Sequence, residues 1–159
     1  MTVYERIRVE PISGALGAEI SGVDVAGELD AATIGEIRQA LLEHLVIFFR
    51  DQELSVARHK SFTRRFGDIF VHPNYQLGQE DKEMVYLLRR PGDTSVAGEK
   101  WHADTTMTAT PPMGAILHAL KVAEYGGDTL FANQYLAYEA LSDGMKEMLD
   151  GLKAVHSDI

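Results

Sequence analysis

The chain has 159 residues, 45% of them hydrophobic and 25% charged, which is typical of a globular domain with a real core. Its formal net charge of −9 argues against a nucleic-acid backbone or an anionic membrane as partner, whereas a local basic pocket for a small anion stays open. The lack of cysteine excludes disulfides, thiolate metal sites and a cysteine nucleophile. We expect a cytoplasmic protein, because neither a signal peptide nor an apolar run of membrane-spanning length is present.

The N-terminal part predicts two short strands and a helix. Residues 7–10 alternate like a strand that Pro11 ends, and residues 18–21 form a second strand between glycine turns. Asp30 is a good N-cap for the helix that follows. The apolar face of this helix comprises Ile34, Ile37, Leu41 and Leu45.

An apolar run and a second helix come next. Residues 45–49 are uninterrupted by polar side chains, which predicts a strand buried on both sides. Ser55 caps the second helix, and Gly67 marks its C-terminal end. Its apolar positions are Val56, Phe62 and Phe66.

The C-terminal part predicts three more strands, at residues 84–88, 114–120 and 129–132. Residues 133–141 are helical by pattern, and a last helix begins after Ser142. The inward-facing residues of this last helix are Met145, Met148 and Leu149, and Gly151 closes it. Short strands with helices near both ends predict an α+β protein or a barrel with attached helices.

A histidine and a carboxylate lie two positions apart in the Trp-His-Ala-Asp stretch at residues 101–104, beside the only tryptophan. In an extended segment such side chains point to the same side, so His102 and Asp104 can present a nitrogen and an oxygen to one point. A histidine and a carboxylate are two of the three ligands in the facial triad that holds non-heme Fe(II). The same pair is also compatible with a hydrogen-bonded pair on the surface.

Six blocks of sequence carry a resemblance to a known family. They are residues 17–24, 46–52, 101–104, 111–115, 126–130 and 137–141. Taken together and in this order, they resemble the taurine dioxygenase (TauD/TfdA) family of Fe(II)/2-oxoglutarate-dependent oxygenases. The resemblance implies a single domain, residues 1–159, that is the N-terminal portion of the family's domain. The implied fold is α+β and mainly β: a double-stranded β-helix, or clavaminate synthase-like jelly roll, with flanking helices and incomplete in this chain.

The resemblance also implies an activity and a set of site residues. His102 and Asp104 are the implied catalytic residues and ligands of Fe(II), and Thr129 matches a threonine that hydrogen-bonds the co-substrate 2-oxoglutarate. His72 and Tyr75 match the pair that lines the anionic head of the substrate. The implied enzyme hydroxylates a small anionic substrate (a sulfonate such as taurine, an alkyl sulfate or a carboxylate), consuming O2 and releasing succinate and CO2.

The chain departs from the family's pattern at two points. Gly98 stands where taurine-specific members carry an asparagine, so a substrate other than taurine fits as well. Members are normally nearly twice this long, and the other half carries the third metal ligand, a histidine, and an arginine that pairs with 2-oxoglutarate. His156 matches a family position without a metal role. We therefore expect this chain by itself to be a poor catalyst or none.

Two other classes of function stay open. One is a non-catalytic remnant that uses the half-fold as a binding or oligomerisation module. The other is a different His/Asp metalloenzyme of the cupin type, with its own third ligand. Thr129 is also compatible with an ordinary strand residue, and His72 with an extended turn before Pro73. Homo-oligomer formation is open, and we expect neither nucleic acid nor membrane as partner.

Overall fold

The computed structural model describes residues 2–72, 80–94 and 98–157. In these ranges the elements are β1 (Arg8–Pro11), β2 (Ala18–Ser21), α1 (Ala31–His44), β3 (Ile47–Phe49), α2 (Val56–Thr63), α3 (Gln134–Glu139) and α4 (Asp143–Asp150). The chain divides into two compact units. All of these elements lie in the sheet unit (Met1–Gly67 with His118–Leu152), and the Trp-His-Ala-Asp stretch lies in the motif unit (Asp68–Leu117 with Lys153–Ile159).

None of the helices in the described ranges has the length and apolar content that crossing a bilayer requires. Helical residues outnumber strand residues there. The predicted α+β class agrees with this mixture, whereas the expected excess of β-structure is not found in the described residues.

The three strands form one mixed sheet in the order β1-β2-β3. β1 and β2 are antiparallel with Val9 opposite Ile20, and β2 and β3 are parallel with Ile20 opposite Phe49. Gly17 enters β2 with a φ of +95°, and a Cβ atom there would lie 2.9 Å from Cγ1 of Ile12. Only glycine meets both conditions without strain. The two N-terminal strands are therefore confirmed, with β1 shifted by one residue.

Helix α1 begins at its predicted cap. The carboxylate of Asp30 accepts a hydrogen bond from the backbone N–H of Thr33 at 2.7 Å, which satisfies one of the free amides at the helix start. The helix ends at His44, and Leu45 turns the chain towards β3 with a φ of +67°. Leu45 is therefore a cap residue and not part of the apolar face. The buried residues of α1 are Thr33, Ile34, Ile37 and Ala40.

The core of the sheet unit lies where α1 packs on the sheet. Phe62 of α2 joins this core, with its ring edge-on to Phe49 at a centroid distance of 6.0 Å. Ser55 caps α2 as predicted, but the helix ends at Thr63, before Gly67. The buried hydrophobic side chains are Ile7, Ala18, Ile20, Val25, Ile34, Ile37, Ala40 and Phe62.

Several predicted strands differ from the structure. β3 is half-buried throughout, because β2 is its only hydrogen-bonded neighbour in the described part of the chain. Residues 84–88, 114–120 and 129–132 form no strand. A strand is defined by a ladder to a neighbour, and the described residues supply none for these three segments.

The last helix begins at its predicted cap, Ser142, and the helix before it begins after Asn133, which is its cap and not its first residue. The predicted inward face of α4 is wrong: the exposed fractions are 43% for Met145, 53% for Met148 and 36% for Leu149. Helical periodicity identified an apolar face correctly, but it carries no information on whether another element covers that face.

The carboxylate of Glu36 ties the N-terminal segment to α1. One oxygen accepts the N–H of Glu5 at 3.1 Å, and the other accepts those of Arg6 at 3.0 Å and Ile7 at 3.2 Å. Desolvation raises the pKa of this carboxyl, but the three hydrogen bonds and the charge of Arg6 outweigh it, so the pKa is lowered. The ionised form of Glu36 is the form that stabilises the fold.

We expect Glu36→Gln to lower the melting temperature at pH 7 by a few degrees, because the amide can accept fewer of these bonds and carries no charge. A carboxyl whose pKa is lowered by folding stabilises above its unfolded pKa of about 4.3, and the contribution is lost as the pH falls through the folded value. Thermal melts of the two proteins should therefore converge between pH 7 and pH 3. Glu53→Gln, at an exposed glutamate, is the matched control and should leave the melt unchanged. An equally large difference in melting temperature between the two proteins at pH 3 would contradict this role of Glu36.

Candidate functional site

The imidazole of His102 is oriented by its own neighbours in the motif unit. Its Nδ1 lies 2.7 Å from the carbonyl oxygen of Lys100. Because a carbonyl oxygen can only accept, Nδ1 carries the hydrogen and donates. In the neutral ring Nε2 then holds the lone pair, which is the state that a metal-binding histidine needs.

Gly98 lies against this ring. Its backbone has a φ of +78°, and a Cβ atom there would be 3.4 Å from Cε1 of His102. Glycine and asparagine are the residue types that adopt a positive φ most readily. A side chain at this position would therefore lie beside the imidazole, and glycine leaves that space open.

The carboxylate of Asp104 faces the free side of the imidazole. Oδ1 of Asp104 lies 3.1 Å from Nε2 of His102, and the two side chains are 67% and 53% exposed. Two lone pairs at this distance repel each other unless a proton or a cation is shared between them. The structure therefore brings together the two predicted ligands in an arrangement that favours a positive charge.

The spacing fits one metal ion. Two ligands about 2.1 Å from a common ion and at right angles have donor atoms about 3.0 Å apart. The 3.1 Å between Nε2 of His102 and Oδ1 of Asp104 agrees with this value. Across the described ranges no set of three or more His, Asp or Glu side chains could hold a metal. The geometry is therefore compatible with the two predicted ligands of a facial triad, and the described residues offer no third.

A strained turn follows Asp104. Thr105 has a φ of +51°, which is rare for a β-branched residue, and its Oγ1 is buried without a hydrogen-bond partner in the described part of the chain. The carbonyl oxygen of Thr105 accepts two hydrogen bonds from Thr108, one from the backbone N–H at 3.1 Å and one from Oγ1 at 3.0 Å. Reasoning from the sequence missed this turn, because threonine carries no signal for a positive φ.

The structure describes two of the other three predicted site residues. His72 is half-buried, with its ring edge-on to Phe70 at a centroid distance of 6.1 Å. Thr129 belongs to the sheet unit, where it is exposed in an irregular segment. Tyr75 falls in residues 73–79, outside the described residues. The roles assigned to these three residues stay predictions.

His156 makes a contact of its own within the motif unit. Its Nδ1 lies 2.8 Å from Oγ1 of Thr106, next to the strained turn. This contact engages one ring nitrogen with a hydroxyl, and His156 forms no ligand set with other described side chains.

The family model that matches this chain is described as taurine catabolism dioxygenase TauD, TfdA family, and it covers residues 8–158. The α-ketoglutarate-dependent sulfate ester dioxygenase of Pseudomonas putida is 37% identical over 94% of this chain and 49% of its own length. The alkylsulfatase of Acinetobacter baylyi is 36% identical over 97% of this chain and 48% of its own length.

A solved structure gives the same result. The taurine dioxygenase from Burkholderia xenovorans superposes with a TM-score of 0.78 and 35% identity, covering 92% of this chain and 52% of that chain. The chain spans about half the length of the curated relatives it matches.

Proposed function

Because the chain belongs to the taurine catabolism dioxygenase TauD, TfdA family, we propose that it is part of an Fe(II)- and 2-oxoglutarate-dependent dioxygenase and supplies two of its metal ligands. One observation carries this proposal: Nε2 of His102 and Oδ1 of Asp104 are 3.1 Å apart, a separation that suits two ligands of one metal ion. The hydrogen bond from Nδ1 to Lys100 keeps the lone pair of His102 on the side of Asp104.

Each predicted site residue has a part in the proposal. His102 and Asp104 hold the iron, and the hydroxyl of Thr129 donates to the distal carboxylate of 2-oxoglutarate. His72 and Tyr75 donate to the anionic head of the substrate, and their ring bodies supply apolar walls. Iron bound there would supply the activation of O2, so that one oxygen atom goes into succinate as 2-oxoglutarate loses CO2 and the other goes into a substrate C–H bond as a hydroxyl.

The fold that goes with this function is the double-stranded β-helix, of which residues 1–159 form the N-terminal portion as one domain. We propose that residues 84–88, 114–120 and 129–132, which form no strand here, would pair as strands with neighbours from the other half of such a domain. Their exposed apolar side chains support this, among them Leu88 at 71%, Leu117 at 73% and Leu130 at 71%. Soluble monomers rarely leave so much apolar surface uncovered.

An alkyl sulfate is the substrate class we favour. Two of the relatives act on sulfate esters by name, and Gly98 replaces the asparagine of taurine-specific members. Hydroxylation of the carbon that bears the sulfate gives an unstable product. This product breaks its C–O bond to sulfate, so that an aldehyde and hydrogen sulfate leave.

A chimera tests the proposal. Residues 1–157 of this chain would replace the matching half of the Pseudomonas putida sulfate ester dioxygenase. We expect succinate formation from 2-oxoglutarate that requires Fe(II) and rises with added hexyl sulfate, whereas the Pseudomonas half alone should form none. A folded chimera that binds no Co(II) and forms no succinate would refute the proposal and favour the non-catalytic binding module.

A further inference from the structure

The turn after Asp104 holds a conformation that its own sequence opposes. A threonine at a φ of +51° has its β-carbon branches against the backbone, and the buried Oγ1 of Thr105 gains no hydrogen bond among the described residues. Such strain persists only where surrounding contacts enforce it, and it gathers at sites that bind or react. A contact that enforces it must therefore be present.

Thr108 provides that contact. Its backbone N–H and its hydroxyl both donate to the carbonyl oxygen of Thr105, at 3.1 Å and 3.0 Å. The hydroxyl bond adds to the ordinary turn bond, and it depends on the side chain alone. Thr108 is half-buried, which protects the bond from competing water.

The conformation of this turn also affects the orientation of the Asp104 carboxylate. The peptide that joins Asp104 to Thr105 is rigid, so the φ of Thr105 sets the angle between this peptide and the turn that follows it. With Thr105 in the ordinary right-handed region, Asp104 and its peptide would be oriented differently relative to the turn, and the approach of Oδ1 to His102 would not be held.

We propose that Thr108 is a positioning residue: its hydroxyl stabilises the left-handed turn at Thr105. That turn keeps the carboxylate of Asp104 directed at the metal point, the position that Nε2 of His102 and Oδ1 of Asp104 both face. This inference rests on the proposed function, since the metal point is the one assigned there. It assigns a role to a residue that touches neither metal nor substrate.

The test uses Co(II) binding to the chain, read from the fluorescence of Trp101, which is the only tryptophan and adjoins His102. Thr108→Val keeps the shape and the backbone N–H but removes the hydroxyl. We expect its dissociation constant for Co(II) to rise about tenfold, at the lower end of the effect of losing a partner behind a metal ligand. Thr108→Ser restores the donor and should recover the affinity to within about twofold.

The matched control is Thr110→Val, at an exposed threonine two positions further along. It should bind Co(II) like the parent chain, and all variants should melt within a few degrees of it. Unchanged affinity in Thr108→Val, or no recovery in Thr108→Ser, would overturn the inference.

A second measurement needs no metal. The backbone N–H of Thr108 donates to the same carbonyl, so its hydrogen exchange should quicken several-fold in Thr108→Val. If the parent chain bound no Co(II) but this exchange quickened, the proposed metal site would be wrong and the turn clamp would stand. Exchange as slow as in the parent chain would refute the clamp itself.

Discussion

Replacing His102 with alanine is expected to raise the dissociation constant for Co(II) at least 100-fold, beyond the roughly 10- to 100-fold cost of losing an outer partner. The imidazole is one of the two proposed ligands, and the described residues offer no third. A lone carboxylate binds a divalent ion weakly in water. Titration followed by Trp101 fluorescence measures this in the chain, and succinate formation should fall to background in the chimera.

Two companion variants sharpen the result. Asp104→Asn keeps the shape of the side chain but removes its charge, and it should weaken Co(II) binding by a similar factor. His156→Ala removes a histidine of the same unit that contacts Thr106, and it should change the affinity by no more than about twofold. If His156→Ala abolished binding while His102→Ala did not, the metal point would have been assigned to the wrong histidine.

Replacing Ile37 with alanine is expected to reduce the free energy of unfolding by about 2–5 kcal/mol, the usual cost of truncating a buried isoleucine. Ile37 is completely buried on α1, and it is the largest fully buried side chain in the described ranges. Its loss leaves a cavity between the helix and the sheet. Urea unfolding followed by circular dichroism measures the change from the midpoint at constant slope.

Leu42→Ala is the control for this prediction, because Leu42 lies on the same helix with 61% of its surface exposed. It should change the free energy of unfolding by less than about 0.5 kcal/mol. Ile37→Val should lower the free energy of unfolding by about 0.5–1.5 kcal/mol, an effect between those of Ile37→Ala and Leu42→Ala. Equal effects at residues 37 and 42 would mean that α1 does not pack on the sheet as described.

The helix boundaries show how much local chemistry can predict. Asp30, Ser55, Asn133 and Ser142 were each expected at or beside a helix start, and each accepts a hydrogen bond from the backbone N–H three residues later. A cap is satisfied within one turn of chain, so its signal is local and readable in sequence. The two N-terminal strands were predicted for the same reason, since glycine turns and Pro11 bound them.

Strands predicted in the C-terminal part had no such support. Residues 84–88, 114–120 and 129–132 have the apolar content of strands, but a strand exists only with a neighbour that is distant in sequence. The apolar face of α4 is a similar case: its period was read correctly, and its exposure depends on what packs against it. The sequence shows which surfaces are apolar, but it does not show which element covers them.

The sequence by itself determined the family, the caps of the helices and the two candidate side chains on either side of Ala103. The caps and the candidate pair depend on residues that are close together, and the family depends on blocks of sequence in a set order. Only the tertiary structure decided that Nε2 of His102 faces Oδ1 of Asp104, and that Thr108 donates to the carbonyl oxygen of Thr105. These features depend on a tautomer and on a backbone angle. Both are set by hydrogen bonds to carbonyl oxygens, and residue identities do not encode such bonds.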